Sequence, residues 1–326
     1  MVHGVTQNVF IVLATRNGSR YLEAQLQSLL GQDWADWRLL ARDDGSTDDT
    51  PALLANVAGR DARVEVLPAA TAGDGIGAAR NFCVLLQAAR DRGADYVFCC
   101  DQDDVWKPGK LTQVLEQLSA AEGEQKRPCL VHHDLEVVGE NGLTLSSSYW
   151  EFSALEPGSE SQPQRLLSRN EVTGCALACN RALLDLALPL PRVAIMHDWW
   201  LALVAAAYGR LMPIPERLVQ YRQHGENVIG AKSYRSGLKP LQNWVRVWRR
   251  GNDEFDATLG QARAFLQLLR SRPRGNSELF DAATAYVSIA EHGPIGRLKS
   301  LFRSRVWRGN PLLDVVLFMR VLMHGR

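Results

Sequence analysis

Along the first part of the chain, unbroken apolar runs alternate with stretches whose apolar residues recur every three or four positions. Asn8 to Ala14 (NVFIVLA) is the pattern of a strand covered on both faces, as in a parallel sheet. Tyr21 to Leu30 then sets Leu22, Leu26, Leu29 and Leu30 on one helical face. Arg38 to Ala41 and Arg63 to Leu67 read as the next strands, and the helix between them has Ser46 or Thr47 as cap and Pro51 near its first turn. After Gly-rich Thr71 to Gly77, the segment Ala78 to Arg90 reads as a helix burying Phe82, Leu85, Leu86 and Ala89. Tyr96 to Cys100 is the fourth strand, and the next helix carries Leu111, Val114, Leu115 and Leu118. This alternation predicts βαβ units in an open, mostly parallel α/β sheet. Further on the pattern loosens. Cys129 to Asp134 and Glu171 to Ala178 read as strands, Glu156 to Gln164 as a surface loop, and His197-Asp198-Trp199-Trp200 opens an apolar helix through Ala207.

Ligands of open parallel sheets lie beyond the carboxyl ends of the strands. One rim therefore collects Thr15 to Asn17, Asp43 and Asp44, Gly73 to Asn81, and Asp101 to Asp104. Asp101, Asp103 and Asp104 crowd the end of the fourth strand, where they repel one another and raise each other's pKa. A hard divalent ion, Mg²⁺ or Mn²⁺, is the natural counter-charge and keeps part of its shell for phosphate. A solvated acidic turn is the competing reading of so short a motif.

Composition narrows the class. With 326 residues, 46% of them hydrophobic, the chain can bury a large core plus an appendage, which excludes collagen-like, disordered and disulfide-scaffold classes. The six cysteines form no CxxC pair and several sit in apolar runs, so they read as reduced thiols of a cytosolic chain. Val9 to Ala14 is too short for a secretory segment, and no stretch has the uninterrupted apolar length of a membrane span. The net charge of +1 hides an asymmetry: residues 231–326 hold 17 Lys and Arg against 7 Asp and Glu, a net of +10, leaving −9 for residues 1–230.

The ordered elements ATRNGSRYL, RDDGSTDDT, GAARNF, CDQDDVW, TGC, HDWW and YRQHGENV, between Asn8 and Gly230, resemble the inverting family 2 glycosyltransferases of GT-A fold, nearest to bacterial rhamnosyltransferases of cell-surface polysaccharide synthesis. The resemblance implies a catalytic domain over 1–230, with a nucleotide-sugar half to about residue 128 and an acceptor half after it, followed by a helical basic region, 231–326. It implies that Thr15, Asn17, Asp43 and Asp44 hold the base and ribose, with Asp44 on a pyrimidine N–H, although DDGS is equally good turn chemistry. Asp101 is matched to ribose contact, Asp103 to the metal, and Asp104 to sharing either task or orienting its neighbours. Arg80 faces the diphosphate and Asn81 the sugar, unless Arg80 is only a solvated helix charge. Asp198 is matched to the general base, though many relatives have Glu where this chain has His197, and an aspartate at a helix start is also a good cap. Gly174, Cys175, His197 and Trp199 fall on the acceptor side; Trp199 and Trp200 either stack on sugar or pack in the core. His224 either completes the metal shell, favouring Mn²⁺, or contacts substrate from a loop.

The implied activity is metal-dependent, inverting transfer of a deoxyhexose, best matched by L-rhamnose from dTDP-rhamnose, onto a saccharide on a lipid carrier. A nucleotidyl or phosphoryl transferase, and an idle nucleotide-binding scaffold of a polysaccharide assembly complex, are the rivals. In the tail, Leu241 to Arg250 and Arg297 to Arg308 interleave Trp, Leu and Val with Arg and Lys. That pattern suits an anionic membrane surface at the inner face of the cell membrane, or packing on the catalytic domain or a second subunit, better than nucleic acid, for which no recognition motif is visible.

Overall fold

The computed structural model describes residues 7–157, 162–225, 244–273 and 275–323, with 244–251 described by backbone alone. The first strand, β1 (Val9–Thr15), has parallel neighbours on both sides, β2 (Trp37–Asp43) and β4 (Tyr96–Asp101), and β3 (Val64–Val66) extends the sheet beyond β2. Its alternate residues feed different cores. Phe10 and Val12 point to one apolar layer and Val9, Ile11 and Leu13 to the other, so a strand covered on both faces needs an unbroken apolar run. The second layer is closed by α1 (Ser19–Leu30), α2 (Thr50–Ala58) and α4 (Lys110–Glu122), the first by α3 (Ala78–Asp91).

Past β4 the sheet changes direction. β8 (Leu177–Asn180) is antiparallel to both β4 and β6 (Cys129–Gly139); β9 (Arg210–Gln223) runs parallel to β6, and the two-residue β5 (Val105–Trp106) closes the far edge. The hairpin strand β7 (Thr144–Ser146) pairs only with β6 and is followed by the single-turn α5 (Tyr149–Phe152). The strand expected from Glu171 is shorter: 171–173 is loop, Gly174–Ala176 a 3₁₀ turn, and pairing begins at Leu177. The sequence reading has no strand where β9 runs; Pro213 and Pro215 interrupt its pattern, and a shifted register near His133 and Asp134 accommodates them.

The helices α6 (Arg181–Ala187) and α7 (His197–Tyr208) lead into the tail helices α8 (Trp244–Ser271), α9 (Ser277–Val287), α10 (Pro294–Ser304) and α11 (Pro311–Met323). Phe255, Phe265, Tyr286, Leu301, Val306 and Val321 join the same apolar layer as Trp200 and Leu201 of α7. The tail helices therefore share a core with the sheet. Of the basic segment at 241–250, residues 241–243 and the later side chains lie outside the described residues. No helix among the described residues is long and apolar enough to cross a membrane.

Candidate active site

Three parallel strands end side by side, with Thr15 opposite Asp43 and Ala14 opposite Asp101 in register, which brings the β1, β2 and β4 loops to one rim. The β2 end is dense with hydrogen bonds. The Thr15 hydroxyl donates to Asp43 Oδ1 at 3.0 Å, the Ser46 hydroxyl donates to the same oxygen at 2.5 Å, and the Ser46 N–H to Asp43 Oδ2 at 2.7 Å. Asn17, in the left-handed region at φ 48°, donates its N–H to Ser46 Oγ and accepts the Thr47 N–H on its side chain. Thr15, Asn17 and Asp43 thus hold this loop in shape.

Asp44 is the carboxylate aimed at the Gly-rich segment. It accepts the N–H groups of Ile76 at 2.9 Å and Gly77 at 2.8 Å, with Arg42 Nη1 at 3.4 Å. Gly75 has to be glycine, since a Cβ there would lie 2.4 Å from Arg16 Nη1 and 2.8 Å from Asp44 Oδ2. Asn81 is buried and exchanges hydrogen bonds with Arg42, through its Oδ1 at 2.7 Å and its Nδ2 to the Arg42 carbonyl at 3.1 Å, so it supports Asp44 through Arg42. Arg80 is exposed at the start of α3.

The β4 end is a cluster of acids. Ligand atoms of Asp101, Asp104 and Cys175 lie within 4.8 Å of one another. Burial first, then the charges of Asp104, Asp103 and Asp198, push Asp101 well above the usual carboxylate range; burial and Asp103 push Asp104 up to about 7. Asp104 Oδ1 accepts the Arg222 N–H at 3.1 Å, while its Oδ2 has no hydrogen-bond partner among the described residues. A set of close, proton-hungry carboxylate oxygens fits a hard divalent cation; the Cys175 thiol, driven up by burial and held protonated, does not add a soft ligand. Asp103 and His224 are paired with each other, His224 Nε2 standing 2.7 Å from Asp103 Oδ2. The Tyr21 ring lies 5.0 Å from the imidazole.

Across from the acids, the TGC turn meets the start of α7. Asp198, 5% exposed, is pushed up to about 7 by burial, against the lowering effect of the Trp199 N–H it accepts. A Cβ on Gly174 would stand 3.0 Å from His197 Cε1 and 3.7 Å from Asp198 Oδ2, so glycine permits the close approach of this turn. His197 stacks on Phe82 at 3.8 Å between centroids, is kept neutral by burial that brings its pKa down to about 3, and its ring nitrogens have no partner among the described residues. Trp200 packs in the core, edge-on to Phe265; Trp199 is half-buried and donates its indole N–H to the Leu166 carbonyl.

Two supporting residues escaped sequence reasoning. Lys110 is fully buried, donates Nζ to the Cys175 carbonyl at 2.8 Å and lies 3.4 Å from the centroid of the Trp106 ring. A lysine opening a helix carries no sequence sign of burial. Arg222 clamps the acid loop through its N–H on Asp104 and its Nε on the Asp103 carbonyl; its place in YRQHGENV was a signal, but only for the neighbouring His224.

Residues 10–124 match the family model described as Glycosyl transferase family 2. The chain is 27% identical over 228 residues to an uncharacterized glycosyltransferase of Nostoc sp., covering 67% of this chain and 66% of that protein, so it spans slightly less than two thirds of that relative. It is 24% identical over 251 residues to the dTDP-rhamnosyl transferase RfbG of Shigella flexneri, covering 73% of this chain and 81% of that protein. Among solved structures, residues 1–349 of S. aureus TarS in complex with UDP-GlcNAc align with a TM-score of 0.54 over 97% of this chain and 90% of that one, at 14% identity. That likeness makes the mixed sheet and its flanking helices a GT-A fold.

Proposed function

We propose, from a chain whose residues 10–124 match the family 2 glycosyltransferase model, that the protein transfers a sugar from a nucleotide-diphosphate donor to a saccharide acceptor with inversion at the anomeric carbon. Asp198 carries the reading. A base is most effective when its pKa lies near the working pH, and this buried carboxyl, pushed up to about 7, stands close enough to the acid cluster to raise Asp101. Asp198 takes the proton of the acceptor hydroxyl as its oxygen forms the bond to the anomeric carbon; the bond from that carbon to the diphosphate oxygen breaks on the opposite face, and the nucleoside diphosphate leaves. A divalent cation, Mn²⁺ or Mg²⁺, held by Asp101 and Asp104 with Asp103 and His224 beside them, would supply charge for the leaving diphosphate. Asp44, which already accepts the Ile76 and Gly77 N–H groups, offers its remaining acceptor sites to the base. Gly174 leaves room for an acceptor beside His197.

The similarity to RfbG supports rhamnose from dTDP-rhamnose as the donor. The basic tail supports a lipid-linked acceptor, with the chain working as a peripheral protein at the inner face of the cell membrane in polysaccharide synthesis. Asp198→Asn tests the function: product formation from labelled nucleotide sugar is lost while donor binding by calorimetry is kept. Unchanged polysaccharide in cells carrying the variant would point to a scaffold, and nucleotide or pyrophosphate release without glycosylated product to a nucleotidyl transferase.

A further inference from the structure

Most apolar side chains of the tail helices enter the core, but those on one side of α10 and α11 do not. On α11, Leu312, Val315, Val316 and Met319 fall at i, i+3, i+4 and i+7 and are all exposed, Leu312 at 66% and Val315 at 61%, while Leu317 and Val321 on the opposite side are buried. On α10, Ile295 is 75% and Phe302 58% exposed, with Leu301 buried behind them. The two helices pack on each other, and Trp307 in the connection meets Phe302 edge-on at 5.4 Å between centroids. Half of the large apolar residues exposed among the described residues lie on this pair of helices. Exposed apolar side chains gathered on two helices that pack together mark an interaction face.

Its charge says what kind. Between residues 294 and 323 there are six basic residues and one acid, Asp314, which is half-buried and accepts the Arg308 N–H. Lys299 and Arg303 are exposed at i+4 and i+8 from Ile295, on the same side as Phe302, and Arg305 is exposed just beyond the helix. Two-fold pairing with a second copy would set this basic patch against itself. An anionic bilayer offers the opposite charge at its headgroups and an apolar layer beneath them, the pairing that basic amphipathic helices use when they lie in the interface.

We propose that the exposed sides of α10 and α11 form a docking surface for anionic lipid, with Ile295, Phe302, Leu312, Val315 and Met319 entering the headgroup boundary and Lys299, Arg303 and Arg305 meeting the phosphates. The proposal deepens the reading of a lipid-linked acceptor by naming the surface that meets the membrane. The test uses the full chain, without donor or acceptor, co-sedimented with phosphatidylcholine vesicles with and without phosphatidylglycerol. Binding is expected only to the anionic vesicles and to weaken with salt. Lys299→Gln with Arg303→Gln should lower partitioning about thirtyfold, from roughly 1 kcal/mol per charge, and Phe302→Ser with Val315→Ser on the order of tenfold, with melting temperatures held near wild type because these side chains are at the surface.

Absence of binding, binding that these variants leave unchanged, or a concentration-dependent dimer that Phe302→Ser with Val315→Ser dissociates would each overturn the proposal. Asp198→Asn protein should bind vesicles as wild type does, so failure of the docking surface and failure of the transferase reading register in separate assays.

Discussion

At the β2 end of the rim, Asp43 takes hydrogen bonds from Thr15 and from both the hydroxyl and the N–H of Ser46, and Asp44 takes two backbone N–H groups from the Gly-rich segment. At the β4 end, Asp104 leaves one oxygen without a partner among the described residues, and burial with neighbouring charge pushes Asp101 and Asp104 up. Both ends are buried and acidic; they differ in donors. The first end is a finished polar nest that needs no ligand to be stable. The second is electrostatically incomplete, and a proton or a cation completes it. Binding specificity can be built on the first kind of site and charge-dependent chemistry on the second.

The sharpest way to break this contrast is at Asp198. Asp198→Asn should cut turnover by about 10³-fold, the scale of a lost general base, with donor affinity unchanged. In the wild type, turnover should fall as pH drops through about 7, because only the deprotonated Asp198 accepts the proton. A flat pH profile, or a variant within a few-fold of wild type, would remove Asp198 from the chemistry.

The next effect is on stability and differs between the two ends. Asp43→Ala should cost about 2–3 kcal/mol in urea titration, since it strips a charged acceptor from three buried donors. Asp104→Asn keeps an acceptor for the Arg222 N–H and removes a repelling charge, so the metal-free protein should be no less stable than wild type. Equal losses at both positions would show the ends to be alike.

A pH titration reads the same difference more gently. The folded-state pKa values of Asp104 and Asp198 stand near 7 against an ordinary 3.8, so the folded protein holds protons that the unfolded chain has released. The stability these groups contribute is fully present below pH 3.8 and is lost as pH rises through about 7. Metal-free wild type should therefore melt at lower temperature at pH 7.5 than at pH 5, by more than Asp104→Asn does, and Mn²⁺ should shrink the difference.

The smallest effect expected is at the Gly174 turn. Gly174→Ala puts a methyl group about 3 Å from the His197 ring, which stacking on Phe82 holds in place. Turnover should fall about tenfold through misplacement of the adjacent Asp198, with KM for the donor unchanged.

Much of this was legible in the chain. The unbroken run of β1 reads as a doubly covered strand because both of its faces carry apolar load, and the acids after β2 and β4 fall on one rim because parallel strands end together. The roles within the rim were less legible. The resemblance matches Asn81 to the sugar and pairs Asp103 with His224 at the metal; in the fold Asn81 also bonds Arg42, and Asp103 and His224 stand 2.7 Å apart. Spacing along a strand end says that carboxylates are neighbours; which of them finds donors depends on loops folded over it from elsewhere.

Local pattern by itself determined the alternating elements from β1 to α4, the rim and the acidity of its β4 end, because strand and helix periodicities and like-charge crowding are properties of nearby residues. Tertiary structure decided the rest: β9 with its two prolines slotted beside β6, Lys110 buried on the Cys175 carbonyl, the tail helices sharing a core with α7, and the apolar side of α10 and α11 left bare. Each of these depends on what distant segments cover, and burial is a property of the whole fold.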